Sequence, residues 1–148
     1  MNLTTRGHYS VKALLDLSLQ PAGSVSSVKA IAQRQQLPAP YLEKLLIELR
    51  RSHIVRSVRG AHGGYQLAKP LGQISLVQIL EAVGESTNPM VRTAIEPSNQ
   101  AEDWVTTMLW QRLHHKLQEA FYTITLEDLY YDARSWQASQ GEGASFVV

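Results

Sequence analysis

The stretch that decides the fold is residues 39–67, APYLEKLLIELRRSHIVRSVRGAHGGYQL. Its first half has leucines spaced i, i+3, i+4 and i+7, which predicts an amphipathic helix that buries one stripe, and Pro40 suits its first turn. The stripe consists of Leu42, Leu45, Leu46 and Leu49. Its second half has two β-prone runs, 54–58 and 65–68, around a glycine-rich turn, which predicts a β-hairpin.

Two shorter helices are predicted upstream of this stretch. Apolar residues at helical spacing over about residues 5–20 predict the first, and Val28, Ile31 and Ala32 share one face of the second. Ser26 or Ser27 is a suitable cap for that second helix. Three helices with a tight connection between the second and third, followed by a hairpin, are the order of a winged helix-turn-helix.

The downstream half predicts another short helix from Ser75 to Gly84, an aperiodic loop, and a long helix over about 100–122. At 1.5 Å per residue this helix is about 35 Å long. The small winged helix-turn-helix unit that precedes it cannot cover all of its apolar side chains. We therefore expect a homodimer in which a partner covers its apolar stripe. The candidate dimerisation residues are Val105, Met108, Leu109, Leu113 and Leu117.

The predicted fold is therefore mainly α with a small β-hairpin: a winged helix-turn-helix domain followed by a long dimerisation helix. The predicted boundaries are 1–84 for the winged helix-turn-helix domain and 85–136 for the loop, the long helix and a short last helix. Residues 137–148 are small, polar and glycine-containing until their end, which predicts a flexible tail.

Composition narrows the class of protein. The chain has 148 residues, of which 44% are hydrophobic and 18% are charged, as in an ordinary globular domain. It contains no cysteine, which excludes disulfides, a cysteine nucleophile, thiolate zinc sites and a cluster held by four cysteines. The first eight residues lack the apolar core that a signal peptide would have, and no apolar run reaches membrane-spanning length. We therefore expect a cytoplasmic protein with no membrane partner.

A net charge of +1 conceals a strong asymmetry along the chain. Residues 1–75 hold ten Lys and Arg against three Asp and Glu, a net charge of +7. The remaining residues hold four against ten, a net charge of −6. The alternative to a functional meaning is a chance partition of solvated charges. A basic first half predicts a polyanionic partner, here double-stranded DNA.

The start of the third helix holds the candidate base-reading residues, because an α-helix fits the major groove and its N-terminal side chains meet base edges. Glu43 is informative among them: a carboxylate repels phosphate but can accept a hydrogen bond from cytosine N4. The alternative is a helix-surface carboxylate with no role in binding. The candidates are Ala39, Tyr41, Glu43 and Lys44.

The hairpin tip is a second candidate contact. Arg59 suits the negative potential of a narrow minor groove, while Gly60 permits close approach and His62 follows. An ordinary solvated turn is the alternative. Lys29 and Arg51, together with three further cations, are candidate phosphate contacts. Those three are Arg6, Arg50 and Arg56.

Four segments resemble the IscR-like transcription regulators: residues 3–11 (LTTRGHYSV), 31–35 (IAQRQ), 41–45 (YLEKL) and 58–65 (VRGAHGGY). The likeness extends over about residues 1–135. It implies a homodimeric bacterial regulator that binds its operator through the third helix and the wing, with the long helix crossing between subunits. Two-fold symmetry implies a roughly palindromic operator.

The chain departs from the best-known members of that family, which hold an iron–sulfur cluster through three cysteines before the long helix. This chain has no cysteine between Gly84 and Trp110, a region that contains Arg92, Ser98, Trp104 and Thr107. A thiolate-ligated cluster is excluded, and we expect no cofactor. A cofactor on non-cysteine ligands remains an alternative. Relatives without cluster ligands respond to a protein or a small molecule, so an effector of either kind fits this chain.

Two other classes of protein compete with a regulator. His115 and Glu119 are i, i+4 on the long helix beside His114, but they make only half of a metal site. We therefore expect no metal site. No phosphate-binding loop or nucleophile motif is found either, so we do not expect an enzyme. A winged-helix module that binds only proteins is the remaining alternative, and the +7 first half argues against it.

Overall fold

The computed structural model describes residues 4–88 and 99–145. This part of the chain is mainly α with one two-stranded antiparallel hairpin, as predicted. The elements are α1 (Thr5–Leu19), α2 (Val28–Gln35), α3 (Ala39–Arg51), β1 (Val55–Val58), β2 (Gly64–Leu67), α4 (Leu76–Ala82), α5 (Ala101–Thr123) and α6 (Leu126–Ser145), with a 3-10 turn at Leu71–Gln73.

The connection between α2 and α3 is the tight turn that a helix-turn-helix requires. Ser27 caps α2 by accepting a hydrogen bond from the Ala30 amide at 3.0 Å. Gln36 ends the helix in the left-handed conformation, with φ 56°, and the Leu37 amide donates to the Ala32 carbonyl at 3.0 Å. The buried Leu37 side chain holds this turn against the core, so α3 begins at a fixed angle.

The core lies between α1, α2 and α3, and the leucine stripe of α3 is buried as predicted. Ile74, Ile79 of α4 and Leu126 at the start of α6 belong to the same core. Burying a side chain of this size contributes about 1.5–3 kcal/mol. These contacts therefore stabilise the winged unit, which consists of α1 to α4 and the hairpin, and fix α6 to it.

The hairpin is antiparallel, with Val55 opposite Leu67 and Val58 opposite Gly64. It carries a third extended segment, because the Ser26 amide donates to the Tyr65 carbonyl at 3.0 Å and the Tyr65 amide donates to the Ser26 carbonyl at 2.8 Å. The wing is therefore hydrogen-bonded to the residue that precedes the helix-turn-helix.

The start of α4 is a capping box, in which the Ser75 hydroxyl accepts from the Gln78 amide and the Gln78 side chain accepts from the Ser75 amide. Val77 and Leu80 of α4 pack against Phe121 at the end of α5. This cluster anchors the C-terminal end of the long helix to the winged unit.

The last helix is longer than predicted. The sequence indicates an end near Trp136 and a flexible tail from residue 137, whereas α6 continues to Ser145. Ala, Gln and Glu between 137 and 142 favour a helix, and no proline interrupts them. The glycines at 141 and 143 cost helix stability, about 1 kcal/mol each, without breaking the helix. Residues 146–148 lie outside the described residues, as do 89–98, which include Arg92 and Ser98.

Candidate nucleic-acid interface

The face of α3 opposite the leucine stripe is open to solvent. Pro40, Glu43, Lys44 and Arg51 are exposed along it, and Ile47 is half-buried between them. Positions 40, 44, 47 and 51 follow one another at helical spacing, so they form one continuous ridge. With the exposed Glu43 beside it, this ridge presents both signs of charge, which suits a surface that reads bases between phosphates.

The charges on this ridge are available to a ligand. Within the described residues, Glu43 and Lys44 make no side-chain hydrogen bond or ion pair with another part of the chain. Arg51 donates to Glu48 at 2.9 Å, but their side chains are 67% and 46% exposed. Such a surface pair contributes little to stability, so Arg51 can exchange Glu48 for a phosphate at small cost.

Two of the candidate base-reading residues lie at the edges of the ridge. Ala39 and Tyr41 are half-buried and pack against the core. The Tyr41 ring meets Tyr9 of α1 edge-on, with centroids 5.8 Å apart and planes at 78°. The sequence predicts a Tyr41 that faces solvent or a ligand, and the structure corrects this in part, since an aromatic pair gains from burial.

The hairpin tip presents Arg59, Gly60 and His62 to solvent. The tip is a tight turn closed by the Gly63 amide, which donates to the Gly60 carbonyl at 3.0 Å. A Cβ at Gly63 would collide with the Val58 carbonyl, so this turn requires glycine there. Among the described residues, Arg59 has no ion-pair partner, and its charge is free to meet an anion.

The other predicted phosphate contacts differ in whether their side chains are paired within the chain. Lys29 is exposed in the first turn of α2, Arg50 in the last turn of α3 and Arg56 on β1. Arg6 instead lies 3.7 Å from the Glu85 carboxylate, with a half-exposed side chain. Arg6 is therefore partly engaged within the chain.

Arg34 is a cation whose internal partner the sequence analysis does not predict. It donates to Asp16 of α1 through Nε at 3.0 Å and Nη2 at 2.7 Å. Those hydrogen bonds and the charge of Asp16 raise the pKa of Arg34 above its usual value, although burial opposes this. The signal in the sequence is Asp16 itself, which falls among the buried residues of α1 and needs a partner there.

The apolar stripe of α5 is exposed in the single chain. Leu109 is 49% and Val105 is 56% exposed, large values for side chains of this type. Met108 and Leu113 are exposed beside them, whereas Leu117 is partly buried against the Val77, Leu80 and Phe121 cluster. Trp104 and Trp110 extend the exposed apolar surface.

The donor set does not fit a thiolate-ligated iron–sulfur cluster, because the sequence has no cysteine. His115 and Glu119 are both exposed on α5. In residues 4–88 and 99–145, no three His, Asp or Glu side chains come together as metal ligands. Nor is any helix in these ranges long and apolar enough to cross a membrane.

The helix-turn-helix, the basic wing and the exposed ridge of α3 together define a winged helix-turn-helix DNA-binding regulator. The chain belongs to the Rrf2 family, whose model, described as an iron-dependent transcriptional regulator, matches residues 3–132. The IscR-like resemblance of the sequence is thereby confirmed.

Similar proteins agree with this assignment. A protein of Synechocystis sp. named as an HTH-type transcriptional regulator is 62% identical over 148 residues, covering 100% of both chains. IscR of Cereibacter sphaeroides is 37% identical and covers 87% of this chain and 86% of its own. CymR, the global cysteine regulator of B. subtilis, superposes with a TM-score of 0.74 at 30% identity, over 88% of this chain and 97% of its own. T. potens IscR superposes with a TM-score of 0.72 at 34% identity, over 93% and 91%.

Proposed function

We propose that the chain acts as a homodimer on a roughly palindromic operator, with α3 in the major groove and the wing in the minor groove. One observation carries this proposal: Glu43 and Lys44 on α3, and Arg59 on the wing, are exposed on the same basic unit. Helix α3 has 13 residues and is about 20 Å long, enough to lie along a groove about 12 Å wide.

Each contact has a separate role in this arrangement. Lys29, Lys44 and Arg51 neutralise phosphates and position the domain. Glu43 accepts a hydrogen bond from cytosine N4, and the half-buried Ala39 and Tyr41 line the edge of the contact. At the wing, Arg59 enters the minor groove, while Gly60 and His62 approach the backbone beside it.

The second copy covers the exposed stripe on α5, that is Val105, Met108, Leu109 and Leu113, with Leu117 at its anchored end. Two-fold symmetry then places equivalent α3 helices about 34–36 Å apart, in successive major grooves. In this proposal residues 1–84 bind DNA and the following segment dimerises. A small molecule or a protein acts as effector, and no thiolate cluster is involved.

Variants on the ridge test the proposal by separating affinity from specificity. Arg51→Ala removes a phosphate contact, so it weakens binding similarly on every sequence and lowers the slope of log affinity against log salt by about 0.9. Glu43→Ala removes a base contact and a repulsive charge, so it reduces discrimination by about 1–3 kcal/mol and strengthens non-specific binding.

The measurement is a set of titrations at two salt concentrations, on an operator selected from random duplexes and on its scrambled version. The selected operator should contain an inverted repeat. Arg134→Ala is the matched control, because it removes an exposed arginine on α6, outside the proposed interface. Glu43→Ala would contradict the assignment if it lost affinity equally on both duplexes, as is expected for Arg51→Ala.

Arg59→Ala should weaken binding about tenfold, and most strongly on operators with A·T-rich flanks, where the minor groove is narrow. Arg59→Lys should restore only part of the loss, because an ammonium is more strongly hydrated than a guanidinium. Titration of the three proteins against duplexes with A·T-rich and G·C-rich flanks measures both effects. Full rescue by lysine, or an equal loss on both flanks, would argue against a minor-groove contact.

A further inference from the structure

An ionic network centred on the buried Asp16 carboxylate lies between α1 and α2. Asp16 is 2% exposed and accepts hydrogen bonds from Arg34 and from the Gln35 side chain, the latter at 2.7 Å. The Arg34 Nη2 that binds Asp16 also donates to the Ser26 hydroxyl at 2.8 Å. The network therefore ends on Ser26, a buried residue outside any helix.

Ser26 is also the attachment point of the wing. Its amide and carbonyl both pair with Tyr65 of β2, at 3.0 and 2.8 Å. The neighbouring Gly64 passes so close that a Cβ there would collide with the Ser26 backbone. One residue thus has its backbone fixed to the hairpin and its side chain fixed to the helix-turn-helix.

We propose that Asp16, Arg34 and Ser26 are positioning residues, which fix the orientation of the wing relative to α2 and α3. This inference rests on the proposed function, since the orientation matters because α3 and Arg59 must reach adjacent grooves together. None of the three residues needs to touch DNA. Because Arg34 binds Asp16 in a bidentate manner, the N–H that reaches the Ser26 hydroxyl points in a fixed direction. A single flexible contact would not fix that direction.

A purely stabilising role accounts less well for this arrangement. Taking the Asp16 carboxylate out of water costs free energy that its attraction to Arg34, whose side chain is 35% exposed, only partly returns, so this pair is a poor source of stability. Only a directional donor can also hold the Ser26 hydroxyl.

The first test uses the protein without DNA. Ser26→Ala removes the Arg34 contact without removing any atom of the Asp16–Arg34 pair or of the wing backbone bonds. We expect the Ser26-position and Tyr65 amides to lose protection against hydrogen exchange about tenfold, the size expected for a lost charge-assisted hydrogen bond. Ser18→Ala is the matched control, because it removes a hydroxyl that donates to Leu15 within α1. Unchanged protection in Ser26→Ala would overturn the inference.

The second test asks whether the network acts through the wing, by means of a double-mutant cycle on operator affinity. If Ser26→Ala misorients the wing, Arg59→Ala should cost at least threefold less in that background than in the parent protein. Additive effects would overturn the inference. Arg34→Lys provides a second background for the cycle, because lysine keeps the charge but loses the fork geometry of the guanidinium. Thermal unfolding identifies a temperature at which every variant is folded, and the titrations are made there.

The two tests separate this inference from the proposed function. If Arg59→Ala binds the operator as tightly as the parent, the proposed minor-groove contact is wrong. A loss of amide protection in DNA-free Ser26→Ala would still support the positioning network.

Discussion

Leu109→Asp is expected to convert the protein from a dimer to a monomer and to lower operator affinity about 10²–10⁴-fold. Leu109 is 49% exposed in the single chain, near the middle of the α5 stripe. In a two-fold dimer the substitution buries a carboxylate from each copy near the axis, where desolvation and repulsion both oppose association. The monomer then meets one half-site at a time and loses the gain that two linked half-sites provide.

Sedimentation velocity at micromolar concentration and titration on the selected operator measure the two effects on the same samples. Gln111→Asp is the matched control, since residue 111 is exposed on α5 and lies 200° around the helix from Leu109. It should leave both assembly and affinity unchanged. A monomeric parent protein, or a dimeric Leu109→Asp protein, would show that another surface joins the copies.

Sequence patterns predicted the elements whose causes are local. The i, i+3, i+4 and i+7 leucines of α3 are all buried, and Ser27 and Ser75 cap the helices that follow them. Hydrophobic periodicity and capping act within a few residues, so one sequence carries enough information to find them. The glycine-rich tip also lies where the sequence places it, between two paired strands.

Features that depend on long-range packing were not predicted. The Tyr41 ring turns toward Tyr9, 32 positions earlier in the chain, and Arg34 binds the buried Asp16. A count of charges treats Arg34 as a free cation, although it is paired within the domain. The end of α6 was also missed, because glycine and small polar residues lower helix propensity without excluding a helix.

Gly64 is the position where one methyl group should do the most damage to the wing. Its φ of 156° lies in a region that L side chains rarely adopt. A Cβ would also meet the backbone of Ser26 and Ser27, which cannot move without displacing the start of α2. Gly64→Ala therefore either breaks the two hydrogen bonds between Ser26 and Tyr65 or shifts the helix-turn-helix.

Gly64→Ala should lower the free energy of unfolding by about 1–3 kcal/mol, as expected for forced backbone strain, and should cost at least as much operator affinity as Arg59→Ala. Denaturant unfolding and titration on the selected operator measure the two losses. Gly141→Ala is the control, because no atom lies within 4 Å of its added Cβ and a helical alanine is favoured over glycine by up to about 1 kcal/mol. A Gly64→Ala protein with parental stability and affinity would mean that the wing is not seated on Ser26. Since the proposed minor-groove contact needs Arg59 on a wing held in place, that contact would then lose its structural basis.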